Sequence, residues 1–358
     1  MSIACLNGTF LPLQDACVPV MDRGFLFGDG VYEVIPVYAG KLFRLDHHLR
    51  RLRNSLDAIR IKNPLSASDW ENMLIELVDR NEGADQAVYL QVTRGVAAKR
   101  DHAFPADCEP TLFAMSTPMS PSVDIEAVSG ATAITLPDIR WKLCNIKAIT
   151  LLPNVLLRQQ AVDTGAAEAI LIRDGYAVEG AASNVFIVKN NMLITPPNGP
   201  TLLPGITRDL IIELAANHAI PFREADITEA DLFSAEEIWL TSSTREISPV
   251  TLLDDTVISN GQPGPHWKKM ICLYPDYKTA IRRGDIGCQR RVACHPDAAA
   301  RIITVTSNNR GIEMSGILDN LKAVFQTRKD KEQNRPFLEA AMAACAMVSA
   351  SEGQVSFA

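Results

Sequence analysis

The chain has 358 residues, 47% of them hydrophobic and 22% charged, which is the composition of a folded globular protein. That balance excludes a collagen, a coiled coil or a disordered chain for the bulk of the sequence. The formal net charge of −7 disfavours binding to nucleic acid, and no apolar run approaches the roughly 18 residues of a membrane span.

Eight cysteines are scattered through the sequence without a CxxC pair. Residues Met1–Phe10 also lack the basic start and apolar core of a secretion signal. These features predict reduced thiols in a cytoplasmic protein, and no metal site, because zinc sites need paired ligands at fixed spacing. We expect neither nucleic acid nor membrane among its partners.

The first predicted domain covers residues 1–118. Apolar side chains recur at every third or fourth position from His47 to Ile59, which predicts a helix, and the capping-box spacing of Ser68–Glu71 predicts the start of a second helix. Short apolar runs predict strands at Ile3–Phe10, Val31–Val37, Ala87–Thr93 and Thr111–Met115. This mixture indicates a small α+β domain.

A larger domain is predicted over residues 119–285, starting with a Pro-rich connector. The predicted strands are Ala169–Ile172, Val185–Val188, Met192–Thr195 and Ile238–Thr241, and the predicted helices are Pro153–Thr164, Thr207–His218 and Thr228–Phe233. No Gly-x-Gly-x-x-Gly follows a strand, which disfavours a dinucleotide-binding sheet. The predicted fold class is therefore α+β, a mixed α-β fold in two domains.

Residues 286–358 differ from the rest in charge. They hold 9 basic and 7 acidic residues, against 26 and 35 in residues 1–285. Pro336–Val348 is predicted to be a helix rich in small residues, and with Glu352–Ser356 it is similar to the opening of a TerB-type helical domain that the chain end truncates. We expect an extension outside the first two domains, either helical or disordered.

Lys147 is the first candidate for chemistry. It lies in the segment Ile139–Ala148, among mostly apolar neighbours. Such surroundings lower the pKa of a lysine and favour its amine as a Schiff-base nucleophile. Most lysines are solvated, however, so this segment alone does not decide between the two interpretations.

Glu179 is the second candidate, at the junction of a predicted strand and a loop of small residues. It is either a turn residue that faces water or a carboxylate that holds a proton on a heteroaromatic nitrogen, as a pyridinium cofactor requires.

Two further segments are suited to binding a phosphate. Leu203–Thr207 leads into a predicted helix, whose first N–H groups and whose Thr207 hydroxyl would face an anion. Thr241–Thr244 is a hydroxyl-rich turn after a strand, and Arg51, on the polar side of its helix, would add a positive charge. The alternative for Thr207 is a helix N-cap.

In order and spacing, these pieces match one known pattern. The matching stretches are Asp22–Glu33, His48–Leu52, Ile146-Lys147, Glu179–Asn184, Pro204–Arg208 and Glu246–Val250. They resemble the fold-type IV pyridoxal-phosphate enzymes, which include branched-chain aminotransferases, D-amino-acid aminotransferases and aminodeoxychorismate lyases. The resemblance runs from Ile3 to about Arg283. It implies a two-domain fold-type IV enzyme that binds pyridoxal 5'-phosphate in the larger domain.

The resemblance also implies a role for each matching residue. Lys147 would form a Schiff base with the cofactor and move the proton between substrate and cofactor, while Glu179 would keep the pyridine nitrogen protonated. Leu203 would pack against one face of the ring. The residues implied to hold the phosphate are Arg51, Ile206, Thr207, Ser242 and Ser243. The family usually has threonine where Ser243 stands, and serine keeps the hydroxyl donor.

The segment Arg94–Pro105 bears on the subfamily. Its Arg100-x-His102 pair, followed by Phe-Pro, is similar to the D-amino-acid aminotransferases, where the pair and a tyrosine matching Tyr32 hold the substrate α-carboxylate. Guanidinium, imidazole and phenol all donate hydrogen bonds to a carboxylate. In the family this pair comes from the neighbouring subunit, which implies a homodimer. The alternative for Arg100 and His102 is a solvated polar loop.

The resemblance therefore predicts pyridoxal-phosphate-dependent transamination of D-amino acids, which converts D-alanine and 2-oxoglutarate to pyruvate and D-glutamate. The alternatives within the family are a branched-chain L-amino-acid aminotransferase, which Arg100 and His102 disfavour, and an aminodeoxychorismate lyase. A non-catalytic scaffold of the same fold is the alternative from another class, and the retention of Lys147 and Glu179 argues against it.

Overall fold

The computed structural model describes residues 2–119 and 128–283. Over these ranges the chain forms sixteen β-strands and seven α-helices. All of them belong to one compact unit, Met1–Arg290, and the second unit, Arg291–Ala358, contains none of the described residues. The predicted extension at 286–358, with its TerB-like helix, therefore lies outside the described residues. No helix within the described ranges is both long enough and apolar enough to cross a membrane.

The first sheet is antiparallel throughout. Its strands are β1 (Ile3–Leu6), β2 (Thr9–Pro12), β3 (Gly30–Tyr38), β4 (Lys41–Leu42), β5 (Gln86–Thr93) and β6 (Thr111–Pro118). They are arranged in the order β2-β1-β6-β5-β3-β4. The strands are joined by three helices, α1 (Arg23–Phe27), α2 (Leu45–Ala58) and α3 (Ala67–Asp79).

Helices α2 and α3 form a core with this sheet. Leu52 and Leu56 of α2 and Trp70 and Leu74 of α3 are buried in one apolar cluster with strand residues such as Val88. The apolar positions of each helix recur at three- and four-residue steps, so they lie along a single face. Burial of that face against the sheet is what holds the two helices in place.

The second sheet is mixed. Its strands are β7 (Ala131–Pro137), β8 (Glu168–Arg173), β9 (Tyr176–Gly180), β10 (Asn184–Lys189), β11 (Met192–Thr195), β12 (Phe222–Glu224), β13 (Ile227–Thr228), β14 (Glu237–Ser242), β15 (Glu246–Leu253) and β16 (Thr256–Val257). Nine of them follow the order β12-β11-β10-β14-β15-β7-β8-β9-β13, and β16 pairs with β15. The pairs β7–β8, β7–β15 and β11–β12 are parallel.

Helices cover both faces of this sheet. They are α4 (Leu152–Asp163), α5 (Ile206–Asn217), α6 (Glu229–Phe233) and α7 (Pro265–Arg283). Phe186 of β10 packs with Leu210 of α5 and Trp267 of α7. Ile187, the next residue along β10, packs with Leu232 of α6. Because successive side chains of a strand point to opposite faces, α6 lies on the other side from α5 and α7.

The structure corrects two local predictions. The strand predicted at Ile3–Phe10 is the hairpin β1–β2, which turns at Asn7 and Gly8 with positive φ values of 50° and 82°. Helix α3 is capped by Ser66, whose Oγ accepts a hydrogen bond from the Asp69 backbone at 3.2 Å, rather than by Ser68. The structure also contains helix α7, which is not among the predicted elements and has Pro275 inside it.

The segment that carries Lys147 is attached to the edge of the first sheet. The Tyr32 backbone donates to the Lys147 carbonyl at 3.0 Å, and the Ile149 backbone donates to the Gly30 carbonyl at 3.1 Å. These bonds place the segment beside the start of β3, on the edge that does not pair with β5. The lysine is thereby held between residues of the two sheets.

Candidate active site

A cavity of about 520 Å³ lies between the two sheets. Nine of the eleven predicted site residues line it: Tyr32, Arg51, Lys147, Glu179, Leu203, Ile206, Thr207, Ser242 and Ser243. Tyr32 comes from β3 of the first sheet, and Glu179 and Ser242 come from β9 and β14 of the second. The fold therefore brings together side chains that are far apart in the chain.

Lys147 is fixed through its backbone and faces the cavity with its amine. Its N–H donates to Oγ of Ser55 at 3.1 Å, and its Nζ lies 4.1 Å from the centroid of the Tyr32 ring. Burial, and then the positive charge of Arg51, lower the pKa of this lysine to about 8. A substantial fraction of the amine is thus neutral and nucleophilic near physiological pH.

Glu179 is buried, and both of its carboxyl oxygens accept hydrogen bonds. Oε1 accepts from Arg140 at 2.5 Å, while Oε2 accepts from the Asn184 side chain at 3.1 Å and from the Leu203 backbone at 3.0 Å. Burial raises the pKa of Glu179 to about 7, against the lowering effect of Arg140 and of the Leu203 N–H. The site thus places an amine and a carboxyl group, each with a strongly shifted pKa, in one cavity.

The opposite part of the cavity is formed by the start of α5. Gly205 is the N-cap, and no side chain caps this helix end. The N-terminus of a helix carries unpaired N–H groups and a partial positive charge that favour an anion. Thr241, which also lines the cavity, has a buried Oγ1 without a hydrogen-bond partner among the described residues.

Arg51 is placed differently from the prediction, which had it on the polar side of its helix. It is buried on the inner face of α2, and its guanidinium donates to both carboxylate oxygens of Glu33 at 2.8 and 2.7 Å. It also donates to the Pro204 carbonyl at 2.9 Å, which joins it to the loop before α5. The prediction from helical periodicity was wrong for Arg51 because it assumed that a charged side chain faces solvent. The buried Glu33 compensates the charge of Arg51 and so allows it to be buried.

Arg100 and His102 lie outside the cavity of their own chain. Both are exposed on the loop between β5 and β6, where the Arg100 guanidinium is 5.0 Å from the centroid of the Phe27 ring and the His102 ring is 5.2 Å from it. Arg23 holds this loop by donating to the carbonyls of residues 101, 102 and 103 at 2.6, 3.2 and 3.3 Å.

Among the cavity residues outside the predicted set, three have polar groups that bear directly on the site. Arg140 and Asn184 contact Glu179, and Thr241 presents the unpartnered hydroxyl. All three stand inside segments that the sequence analysis singled out, but nothing in the local sequence distinguishes them from their neighbours. Their significance depends on contacts between segments.

The lining fits pyridoxal 5'-phosphate. The unpartnered Thr241 hydroxyl and the uncapped start of α5 would supply donors for a phosphate, Lys147 would supply an amine for the aldehyde, and Glu179 would supply a carboxyl for the ring nitrogen. At Gly205 an added Cβ would overlap Oδ1 of Asn184, so the backbone there is in close contact with the wall of the cavity.

Comparison with known proteins agrees with this fit. The model of the amino-transferase class IV family matches residues 30–253. The D-alanine aminotransferase of Bacillus licheniformis is 41% identical over 264 residues, which cover 74% of this chain and 93% of the relative. The D-alanine aminotransferase of Staphylococcus aureus strain N315 is 38% identical over 261 residues, covering 73% and 92%.

Solved structures agree as well. The branched-chain amino acid aminotransferase of Escherichia coli superposes with a TM-score of 0.72 at 26% identity, covering 76% of this chain and 93% of that one. The branched-chain aminotransferase of Thermoproteus uzoniensis with norvaline gives 0.70 at 26% identity, covering 80% and 97%. A further branched-chain amino acid aminotransferase, solved with pyridoxamine 5'-phosphate, gives 0.73 at 26% identity, covering 79% and 95%.

The fold is that of a fold-type IV aminotransferase. The chain belongs to the amino-transferase class IV family and uses pyridoxal 5'-phosphate as its cofactor. The predictions of family, fold class, enzyme activity and cofactor are confirmed.

Proposed function

We propose that this protein transfers the amino group of D-alanine to 2-oxoglutarate, yielding pyruvate and D-glutamate. The observation that carries the proposal is the single cavity that holds Lys147, Glu179 and the start of α5. The choice of a D-amino acid is supported by the curated relatives, which are named D-alanine aminotransferases and are aligned over more than nine tenths of their length.

We assign two residues to the chemistry. Lys147 attaches the cofactor through its neutral amine and then carries the proton from Cα of the substrate, since it is the titratable amine on the cavity wall. The bound cofactor supplies an electron-withdrawing pyridinium ring that accepts the electron pair left at Cα. Glu179 keeps the nitrogen of that ring protonated, as it is a carboxyl group held in place by three donors.

The remaining lining residues bind and orient. Phosphate recognition is assigned to Arg51, the N–H groups of Ile206 and Thr207, and the hydroxyls of Thr241, Ser242 and Ser243. Leu203 packs against the ring, and its backbone N–H also holds Glu179. These contacts fix the cofactor at both ends, so that the bond to be broken at Cα stays beside Lys147.

A second copy of this chain would complete the substrate site. Arg100 and His102 are exposed and lie outside the cavity of their own chain, so they reach a substrate only in a neighbouring copy. Helix α4 supports a homodimer because it exposes Leu152, Val155, Leu156 and Val162. Arg100 and His102 of the neighbouring copy, together with Tyr32, would bind the α-carboxylate of the substrate.

We also propose a cytoplasmic location, without nucleic-acid or membrane partners. The support is the set of five free cysteines in the described parts of the chain, together with the net charge of −7. The partners of the protein would then be D-amino acids, 2-oxo acids and a second copy of the chain.

A steady-state assay tests the reaction. Holoenzyme is given 2-oxoglutarate with either D-alanine or L-leucine, and the 2-oxo acid product is measured, with Lys147→Ala as the inactive control. We expect turnover with D-alanine that Lys147→Ala abolishes. Turnover with L-leucine but not with D-alanine would instead support the branched-chain alternative. Solved structures of branched-chain aminotransferases share this fold.

A further inference from the structure

Arg140 stands behind Glu179 and contacts it directly. Its guanidinium donates to Oε1 of Glu179 at 2.5 Å, and the two side chains are only 6% and 5% exposed. The other carboxyl oxygen is held by the Asn184 amide and the Leu203 N–H, which are neutral donors. Arg140 is therefore the positive charge in direct contact with Glu179 among the described residues.

A second carboxylate holds Arg140 in this position. Its guanidinium donates to Asp138 at 2.9 and 3.0 Å, and the Asp138 side chain is completely buried. Arg173 contacts the same carboxylate at 2.7 Å. Four charges of alternating sign thus run from Arg173 through Asp138 and Arg140 to Glu179. A buried row of alternating charges is stable only while each charge keeps its partner.

The charge of Glu179 is decided by two opposing effects. Burial favours the neutral acid, whereas Arg140 and, after it, the Leu203 N–H favour the carboxylate, and the result is a pKa of about 7. The other titratable groups whose charge interacts with Glu179 are Asp138, Lys147, Tyr32 and Cys144. None of these forms a hydrogen bond to Glu179 within the described residues. Without Arg140, burial would leave Glu179 neutral across the neutral pH range.

We propose that Arg140 is a positioning residue of the active site, which allows Glu179 to ionise in the neutral pH range and keeps it aimed into the cavity so that it can hold the proton of the cofactor ring. The inference rests on the proposed function insofar as Glu179 faces the pyridine nitrogen. A neutral carboxylic acid would donate a hydrogen bond to that nitrogen instead of stabilising its protonated form. Arg140 therefore acts on the reaction through Glu179 and does not itself touch the reacting atoms.

The first test measures the protonation of Glu179 in the apoenzyme. Infrared difference spectra of protein with 13C-labelled glutamate are recorded against pH, and Glu179→Gln identifies the band. We expect a midpoint near 7 in the wild type and a higher midpoint in Arg140→Met, with Arg140→Lys between them. A midpoint one pH unit higher lowers the ionised fraction at pH 7 from about one half to about one tenth. Arg158→Met, which removes another guanidinium from the cavity wall without touching Glu179, should leave the midpoint unchanged.

The second test uses the holoenzyme and a double-mutant cycle. Arg140→Met should lower kcat with D-alanine about tenfold or more while KM changes little, and Arg140→Lys should recover part of the loss. In a Glu179→Gln background the same substitution should have less than about a twofold effect, since there is no charge left to maintain. If Arg140→Met does not fold, the Glu179 midpoint and the kcat of Arg140→Lys still test the inference.

An unchanged Glu179 midpoint, or an equal loss of kcat in both backgrounds, would overturn the inference. The apoenzyme titration does not depend on the substrate. A wild-type protein that fails to use D-alanine while Arg140→Met still shifts the midpoint would therefore count against the proposed function and leave this inference standing.

Discussion

Tyr32 and Lys147 are joined twice. The Tyr32 backbone N–H donates to the Lys147 carbonyl at 3.0 Å, and the Lys147 Nζ lies 4.1 Å from the centroid of the Tyr32 ring. The backbone bond fixes where the lysine leaves the edge of the first sheet, and the ring limits where its amine can go. Small displacements of a reacting group are costly in an active site, so this double contact would pre-organise Lys147 for its proposed role as the nucleophile.

The pKa of Lys147 predicts how cofactor loading depends on pH. Burial and Arg51 lower that pKa to about 8, and the neutral amine is the form that attacks an aldehyde. The rate of covalent attachment of pyridoxal 5'-phosphate to the apoenzyme should rise about tenfold per pH unit below 8 and level off above it. Absorbance after mixing measures the rate, and Lys147→Arg serves as the blank. A rate that keeps rising to about pH 10.5, the ordinary value for lysine, would contradict the lowered pKa.

Glu33 should contribute strongly to stability. It is completely buried with Arg51 and His48, and although burial opposes its ionisation, the charge and hydrogen bonds of Arg51 lower its pKa to about 2. Glu33→Gln leaves the Arg51 guanidinium without its counter-charge, which should cost about 3–5 kcal/mol of unfolding free energy at neutral pH. Denaturant unfolding at pH 7 measures the difference in unfolding free energy between Glu33→Gln and the wild type.

The matched control is Glu76→Gln. Glu76 also pairs with an arginine, Arg80, but both side chains are about half exposed, so the loss of unfolding free energy should stay below about 0.5 kcal/mol.

The contribution of Glu33 to stability should also depend on pH. The pKa of Glu33 is lower in the folded state, so its contribution to the unfolding free energy is complete above about pH 4.5 and declines as the pH falls towards 2. A Glu33→Gln protein as stable as the wild type at pH 7 would refute the assignment.

The local order of elements is largely readable from the sequence, whereas the contacts that adjust the site are not. The apolar spacing over residues 47–59 identifies α2 to within two residues, and the helix predicted over residues 153–164 matches α4 to within one residue. By contrast, Arg140 and Glu179 are separated by 39 residues, and Arg51 and Glu33 by 18. Such pairs arise only from the packing of whole sheets, so a single sequence cannot show which buried charges meet.

Gly205→Ala should weaken binding of the cofactor. The added Cβ would overlap Oδ1 of Asn184, whose amide holds both Glu179 and the Leu203 carbonyl. Relieving the overlap displaces either the start of α5 or the Asn184 side chain, at a cost of about 1–3 kcal/mol. Equilibrium titration of apoenzyme with pyridoxal 5'-phosphate should show Kd raised by the corresponding factor, about fivefold to more than a hundredfold.

Gly199→Ala is the appropriate comparison. Its added Cβ would have only the Pro197 carbonyl oxygen within 4.0 Å, so Kd should not change. Equal Kd values for the two alanine variants would show that the entry to α5 does not need a glycine.

Mixing inactive variants tests the contribution of a second copy. Lys147→Ala and Arg100→Met should each be inactive with D-alanine, but a heterodimer of the two contains one intact site. Refolding an equal mixture should recover roughly a quarter of the wild-type activity. A mixture of Arg100→Met with His102→Gln should recover none, because both of its sites are then defective. Two affinity tags verify that heterodimers form. If the heterodimers of the first mixture are inactive, a site shared between two copies is ruled out.

The most direct test of the central claim, that Lys147 carries the cofactor through a reaction with D-alanine, is a single half-reaction. Holoenzyme is treated with borohydride before and after addition of D-alanine without any 2-oxo acid, and the peptide containing Lys147 is analysed by mass spectrometry while pyruvate is measured. We predict that the cofactor is trapped on Lys147 at first, and that D-alanine abolishes the trapping and releases one pyruvate per subunit. Trapping that survives D-alanine but disappears with L-leucine would contradict the account.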